Sequence, residues 1–271
     1  MGDAAMIKLI ATDMDGTLLD SRKNMPGDIL PVVRALRGMG VDFVIASGRQ
    51  YAALRRDLGE LADEVIFLAE NGALVMENDQ QLFIDPLPAD IIRPIIERTR
   101  GMEGIHPVIC RAGAALIQKT APEEFVRNVM MYYDSTEVVD NLLDVCNGLD
   151  DVCKIAFYDE GDAEHHEYPL LREVLPESLA VILSGYSWVD VMKPGANKGR
   201  AMRMLQEIKG VGPQQCIAFG DYLNDLEMLG SVTESYAMQN ALPEIRAAAK
   251  HIAPSNDENG VVRVIRERFH I

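Results

Sequence analysis

The stretch that most constrains this 271-residue chain is Ile7-Lys8-Leu9-Ile10-Ala11-Thr12, followed at once by Asp13-Met14-Asp15-Gly16-Thr17. A short, largely apolar run of this kind reads as a buried parallel strand, and open α/β sheets bind their ligands at the carboxyl ends of such strands. Two carboxylates at that edge repel one another unless something cationic stands nearby. A divalent metal that prefers oxygen ligands, such as Mg2+, meets the need. The competing reading is an Asp-rich turn, because Asp and Gly are ordinary turn residues. The rest of the chain bears on the choice.

Short apolar runs alternate with helical patterns, as in βαβ units. A helix is expected from the Asp28 cap to Gly38 or Gly40, a strand over 41–46 ending at Ser47-Gly48-Arg49, a helix near 50–58 and a strand over 65–69. Asn71-Gly72 and Asn78-Asp79 read as reversals. The rhythm changes at Pro86-Leu87-Pro88: helices over 89–100, 122–131 and 162–174 mix with short strands around Cys110, Leu116, Lys154 to Tyr158, Val181 and Val189. From Asn197 the βα rhythm returns, with a helix over 198–209, a strand over 216–219, a polar loop at 220–225 and a final helix over 260–269. The expected fold is α/β: a doubly wound parallel sheet, residues 1–85 and 190–271, carrying an inserted α+β cap, residues 86–189.

The formal net charge of −16 argues against a nucleic-acid partner. Cys110, Cys146, Cys153 and Cys216 show neither a C-x-x-C pair nor zinc-ligand spacing, and read as thiols of a reducing compartment. Acidic Asp3 and the short apolar stretch from Met6 to Ala11 do not make a signal peptide. No apolar run approaches the ~18 residues that span a bilayer. A cytoplasmic protein without a membrane partner is expected, a monomer or small homo-oligomer.

Four polar clusters fall where strands end or helices begin: Asp13 with Asp15, Ser47-Gly48-Arg49, Asn197-Lys198-Gly199, and Asp221 with Asn224 and Asp225. In a parallel sheet such ends share one edge. Each cluster suits phosphoryl transfer. Asp13 can attack phosphorus, Asp15 can protonate the leaving alcohol and later activate water, and Asp221 can join Asp13 on Mg2+. Ser47 and the Gly48 amide can hold phosphate oxygens, and Lys198 can set a charge on them.

In this order the motifs resemble the haloacid dehalogenase-like superfamily. Asp13-Met14-Asp15-Gly16-Thr17-Leu18-Leu19 looks like its nucleophile motif, and Ala46-Ser47-Gly48-Arg49, Asn197-Lys198-Gly199 and Phe219-Gly220-Asp221-Tyr222-Leu223-Asn224-Asp225 resemble the other three. The long insertion resembles the Cof-type phosphatases of subfamily IIB. The resemblance implies a Mg2+-dependent phosphatase of small phosphorylated metabolites that works through an aspartyl-phosphate. It implies Asp13 as nucleophile and Asp15 as acid and base. It places Mg2+ on Asp13, Asp221 and the Asp15 main-chain carbonyl, and phosphate on the Met14 amide, Ser47, Gly48, Lys198 and Asn224. Gln239 and Tyr222 depart from the family pattern. A phosphomutase or other phosphotransferase, or a non-catalytic phosphometabolite-binding regulator, is the alternative.

The plainer readings are these. Arg49 pairs with a surface acid, Asp225 is a first-turn acid, and Asn71-Gly72 is a hairpin turn. His165 and His166 are surface residues, and Trp188 and the methionines fill core. Arg111, Lys119 and Lys154 are the cap cations that would touch substrate.

Overall fold

The computed structural model describes residues 6–271, so Asp3 lies outside the described residues. The strands are β1 (Leu9–Asp13), β2 (Asp42–Ala46), β3 (Ile66–Ala69), β4 (Leu74–Glu77), β5 (Gln80–Ile84), β6 (Ile105–Arg111), β7 (Ala115–Gln118), β8 (Thr136–Val139), β9 (Val152–Asp159), β10 (Ala180–Gly185), β11 (Trp188–Met192), β12 (Cys216–Gly220), β13 (Glu234–Met238) and β14 (His251–Ala253). They form two sheets, in the orders β14-β13-β12-β1-β2-β3-β4-β5 and β10-β11-β9-β6-β7-β8. The chain divides into two compact units, 1–47 with 58–83 and 197–271, and 48–57 with 84–196.

In the first unit β13, β12, β1, β2 and β3 run parallel, and β4 turns back against β3. This is the expected doubly wound sheet. Every residue of β1 and β12 is buried, because a strand covered on both faces must be apolar throughout. The chain proceeds from β1 to β2 on one side and returns through β12 on the other, so the strand order reverses beside β1. Asn78 and Asp79 both take positive φ, 49° and 61°, as the tight β4–β5 turn demands of its two central residues.

The second unit is a mainly antiparallel sheet with helices on it. One face of β9 and β6 packs Ile105, Ile109, Ile155 and Phe157 against the helices Ala89–Thr99 and Glu167–Val174. The other packs Val108, Cys110, Ala156 and Tyr158 against Phe125 and Val129 of the helix Glu123–Tyr132. Segment 48–57 groups with this unit, whereas the sequence assigned it to the first. Gln50 and Ser135 exchange two hydrogen bonds, Nε2 to the carbonyl at 3.1 Å and amide to Oε1 at 3.3 Å. Arg56 also meets Asp134 at 2.8 Å.

The helix expected over 162–174 covers only Glu167–Val174. Pro169 explains the late start: it lacks an N–H and is tolerated only in a first turn. Asp162 instead closes a local turn, its Oδ1 accepting from the Glu164 amide at 3.1 Å. No helix among the described residues is long and apolar enough to cross a membrane. All four cysteines are buried.

Glu167 is fully buried, and among the described residues neither of its carboxylate oxygens has a hydrogen-bond partner. Burial pushes its pKa from 4.5 up to about 9, with Asp159 and Asp190 adding to the effect. The folded state therefore keeps a proton that the unfolded chain releases near 4.5, and stability falls as pH rises through that window. The slope is about 1.4 kcal/mol per pH unit for one such group. Glu167→Gln removes that proton, so its denaturation midpoint should decline less than that of the native chain between pH 6 and pH 8. Parallel pH profiles for the two proteins would contradict this.

Candidate active site

The carboxyl ends of β12, β1 and β2 lie side by side, with Thr12 level with Phe219 and Asp13 level with Ala46. Neighbouring strands are about 4.8 Å apart, so the residues that leave these three strands share one edge. Asp13 ends β1 and is buried; Asp221 follows β12; Ser47 follows β2 and is buried.

Lys198 holds the arrangement together. Its Nζ lies 2.5 Å from Asp13 Oδ1 and 2.7 Å from Asp225 Oδ1, with no solvent exposure. It is the first residue of the helix Lys198–Lys209, capped by Asn197 Oδ1, which accepts from the Arg200 amide at 2.8 Å. A cation there opposes the helix dipole by about 0.3–1 kcal/mol, whereas each hydrogen bond to a charged partner returns about 1.5–3 kcal/mol. The two carboxylates win. Burial pulls Lys198 down, but Asp13 and Asp225 reverse this and hold its pKa above the ordinary lysine range.

Two glycines let the helix come in this close. A Cβ on Gly199 would stand 2.3 Å from the Glu227 carbonyl oxygen. One on Gly72 would stand 2.5 Å from the Asn197 carbonyl oxygen, and Gly72 has φ of +90°.

Asp225, which the sequence leaves open between a first-turn acid and a supporting residue, takes the supporting role. Its Oδ2 accepts from the amides of Asp221 at 3.0 Å and Tyr222 at 3.1 Å, shaping the loop that presents Asp221. Thr17, which the sequence reading passed over, donates from Oγ1 to Asp221 Oδ1 at 2.6 Å. Gly16 is obligatory: φ is +84°, and a Cβ would lie 2.4 Å from Asp221 Oδ2.

Carboxylate oxygens of Asp13, Asp221 and Asp225 all lie within 4.8 Å of one another. Burial raises the Asp13 carboxyl well above its ordinary value; Lys198 opposes this, and Asp225 and Asp221 reinforce it. Burial likewise raises Asp221, against the hydrogen bond from Thr17. Three carboxylates against one ammonium leave two uncompensated negative charges, the charge of one divalent cation. The donor set is oxygen alone, which suits a hard ion. Both oxygens of Asp225 are already engaged by Lys198 and by amides, so Asp13 and Asp221 are the better placed ligands.

The remaining sequence candidates are placed as follows. Met14 is buried, and its carbonyl accepts from the Leu19 amide at 2.8 Å. Asp15 is partly exposed and pairs with Lys23 at 2.7 Å. Asn224 donates from Nδ2 to Asn71 Oδ1 at 3.1 Å, and the Asn71 amide donates to the Ser47 carbonyl at 3.0 Å. Asn71, read from sequence as a turn residue, thus links the Ser47 and Asn224 loops. Gly48 belongs to the second unit, where its carbonyl accepts from Lys154 Nζ at 3.2 Å. Arg49 pairs with Asp57 at 3.0 Å. Of the cap cations, Arg111 pairs with Asp151 at 2.8 Å and exposed Lys119 with Asp140 at 3.3 Å, while Lys154 is buried on Asp190 at 3.0 Å. Tyr222 and Gln239 are exposed. His165 and His166 reach Asp162 at 2.8 Å and Asp159 at 2.7 Å.

A sequence profile of the haloacid dehalogenase-like hydrolases matches residues 10–265. The chain is 32% identical over 265 residues to the 5-amino-6-(5-phospho-D-ribitylamino)uracil phosphatase YbjI of Escherichia coli K12, covering 96% of this chain and 95% of that one. It is 30% identical to the HMP-PP phosphatase of Escherichia fergusonii, covering 91% of this chain and 89% of the relative. The fold of the HAD subclass IIB sugar phosphatase BT4131 superimposes with a TM-score of 0.78 at 20% identity, over 97% of this chain and all of the other. The chain belongs to the haloacid dehalogenase-like hydrolase family. It is an enzyme of the phosphatase branch to which these relatives belong.

Asp225→Asn keeps the shape of the loop but removes one of the two charges on Lys198. Divalent-cation affinity should fall about 10- to 100-fold, as for other residues that orient metal ligands. Calorimetric titration with Mg2+ measures it, and an affinity equal to that of the native chain would refute the positioning role.

Proposed function

We propose that the protein is a Mg2+-dependent phosphatase of small phosphorylated metabolites, working through an aspartyl-phosphate on Asp13. The observation that carries this reading is the cluster of Asp13, Asp221 and Asp225 beside buried Lys198, two positive charges short of neutrality. In the reading, Asp13 attacks phosphorus and the bond from phosphorus to the leaving oxygen breaks, while Asp15 gives that oxygen its proton. Asp15 then takes a proton from water, the water attacks the aspartyl-phosphate, and inorganic phosphate and a free Asp13 result. Asp13, Asp221 and the Asp15 main-chain carbonyl would hold Mg2+, whose charge would offset the repulsion between carboxylate and phosphate.

Phosphate oxygens are assigned to the Met14 amide, Ser47, Gly48, Lys198 and Asn224. The preorganisation of these groups suits a loose transition state, in which positioning and charge do most of the work. Asp15 is partly exposed and pairs with Lys23, so solvent can reach its carboxylate for proton exchange. Residues 86–189 are assigned as the cap that selects the leaving group. The named activities of the relatives, on a phosphoribitylaminouracil and on HMP-PP, support a small phosphorylated metabolite as substrate.

Asp13→Asn, nearly unchanged in volume, should lower phosphate release by at least about 10³-fold, the scale of losing a covalent nucleophile. A screen of phosphorylated metabolites scored by free phosphate measures this. Turnover by the purified variant at the native rate would refute the nucleophile role. Chelation should abolish turnover of the native chain and Mg2+ should restore it; activity indifferent to chelator would remove the metal from the proposal. Isomerised sugar phosphate in place of free phosphate would favour phosphotransfer.

A further inference from the structure

The connection between β3 and β4 lies wholly in the first unit, between Ala69 and Leu74, which stand level in the two strands. A hairpin loop of this length is ordinarily built around a type I turn, whose central residues keep negative φ. Here three residues in succession take positive φ: Glu70 at 51°, Asn71 at 55° and Gly72 at 90°. Only the glycine does so without cost, because a Cβ crowds the backbone in that region. All three are buried. The reversal itself does not demand this shape, and strain of this kind persists only where the surroundings impose it.

The surroundings are the loops of the candidate active site. The Asn71 amide donates to the Ser47 carbonyl at 3.0 Å, which ties the turn to the end of β2. Gly72 lies against Asn197, where a Cβ would stand 2.5 Å from the carbonyl oxygen. The Asn71 side chain reaches a third loop, its Oδ1 accepting from Asn224 Nδ2 at 3.1 Å. Asn71 is buried whereas Asn224 is half-buried, so Asn224 is the one that a ligand from solvent can reach. An amide nitrogen carries two hydrogens. The acceptor on Asn71 takes one and fixes the amide plane, and the other remains to donate. The oxygens of a phosphate dianion only accept, so the amide must present its nitrogen, not its oxygen, to hold one.

We propose that Asn71 is a positioning residue that turns the Asn224 amide nitrogen toward phosphate, and that the left-handed turn is kept to place it. The inference rests on the assignment of Asn224 to phosphate in the reading above, and adds a residue that the reading leaves without a role.

Asn71→Gly removes the acceptor while keeping a backbone at ease with φ of 55°, so the variant should fold and melt close to the native chain. With p-nitrophenyl phosphate and Mg2+, its KM should rise about tenfold with kcat little changed, the scale of one weakened hydrogen bond to a charged group. Asn224→Ala should raise KM at least as much. Adding Asn71→Gly to it should change nothing further, because the one residue acts through the other. A native KM in Asn71→Gly beside a raised KM in Asn224→Ala, or two effects that multiply, would overturn the inference and leave the phosphate assignment standing. A native KM in Asn224→Ala would instead remove Asn224 from the phosphate site, and the inference with it. Hydrogen exchange followed by NMR gives a readout that needs no turnover. In the native chain the side-chain amide of Asn224 should exchange more slowly than that of free asparagine. Exchange at the free rate overturns the positioning even where Asn71→Gly fails to fold.

Discussion

The contact on which the rest of the active site depends is the buried ammonium of Lys198 between the carboxylates of Asp13 and Asp225. A lone charge in that position would be untenable, because desolvation costs far exceed the stability of a domain. Its two partners make it tenable, and in doing so fix three segments against one another: the end of β1, the start of the helix Lys198–Lys209 and the loop after β12. Glycines 16, 72 and 199 serve that contact, since each stands where a side chain would collide with a carboxylate or a carbonyl. Lys198 compensates only part of the negative charge. Burial raises the carboxyls of Asp13 and Asp221, and the neighbouring carboxylates add to the effect.

This imbalance connects the fold to the chemistry. A site that holds excess negative charge would repel a phosphate ester, and in the proposed function a divalent cation would offset that repulsion. The doubly wound sheet supplies most of the convergence, because the carboxyl ends of adjacent parallel strands share one edge.

Much of this was legible in the chain. The apolar runs ending at Asp13, Ser47 and Asp221 are short and uninterrupted enough to read as buried strands, and the helices 198–209 and 260–269 have the bounds expected of them. What escaped depends on tertiary contact. Asn71 looks like half of a turn dipeptide until Asn224, 153 positions away, is seen to bond its side chain. Thr17 meets Asp221 across 204 positions. Asp225 reads from sequence either as a helix-start acid or as a supporting residue, because its bonds to Lys198 and to two amides leave no local trace. The late start of the helix at Glu167 was recoverable from Pro169. The burial of Glu167, and the grouping of 48–57 with the second unit, were not, since both depend on which surfaces meet.

The most direct test of the central claim is a crystal structure of the native chain grown with Mg2+ and beryllium fluoride, a mimic of a phosphoryl group on a carboxylate. The account requires the fluoride adduct on an oxygen of Asp13, with a single cation touching both that residue and Asp221. An adduct on any other carboxylate, or a cation that leaves Asp221 untouched, would contradict it.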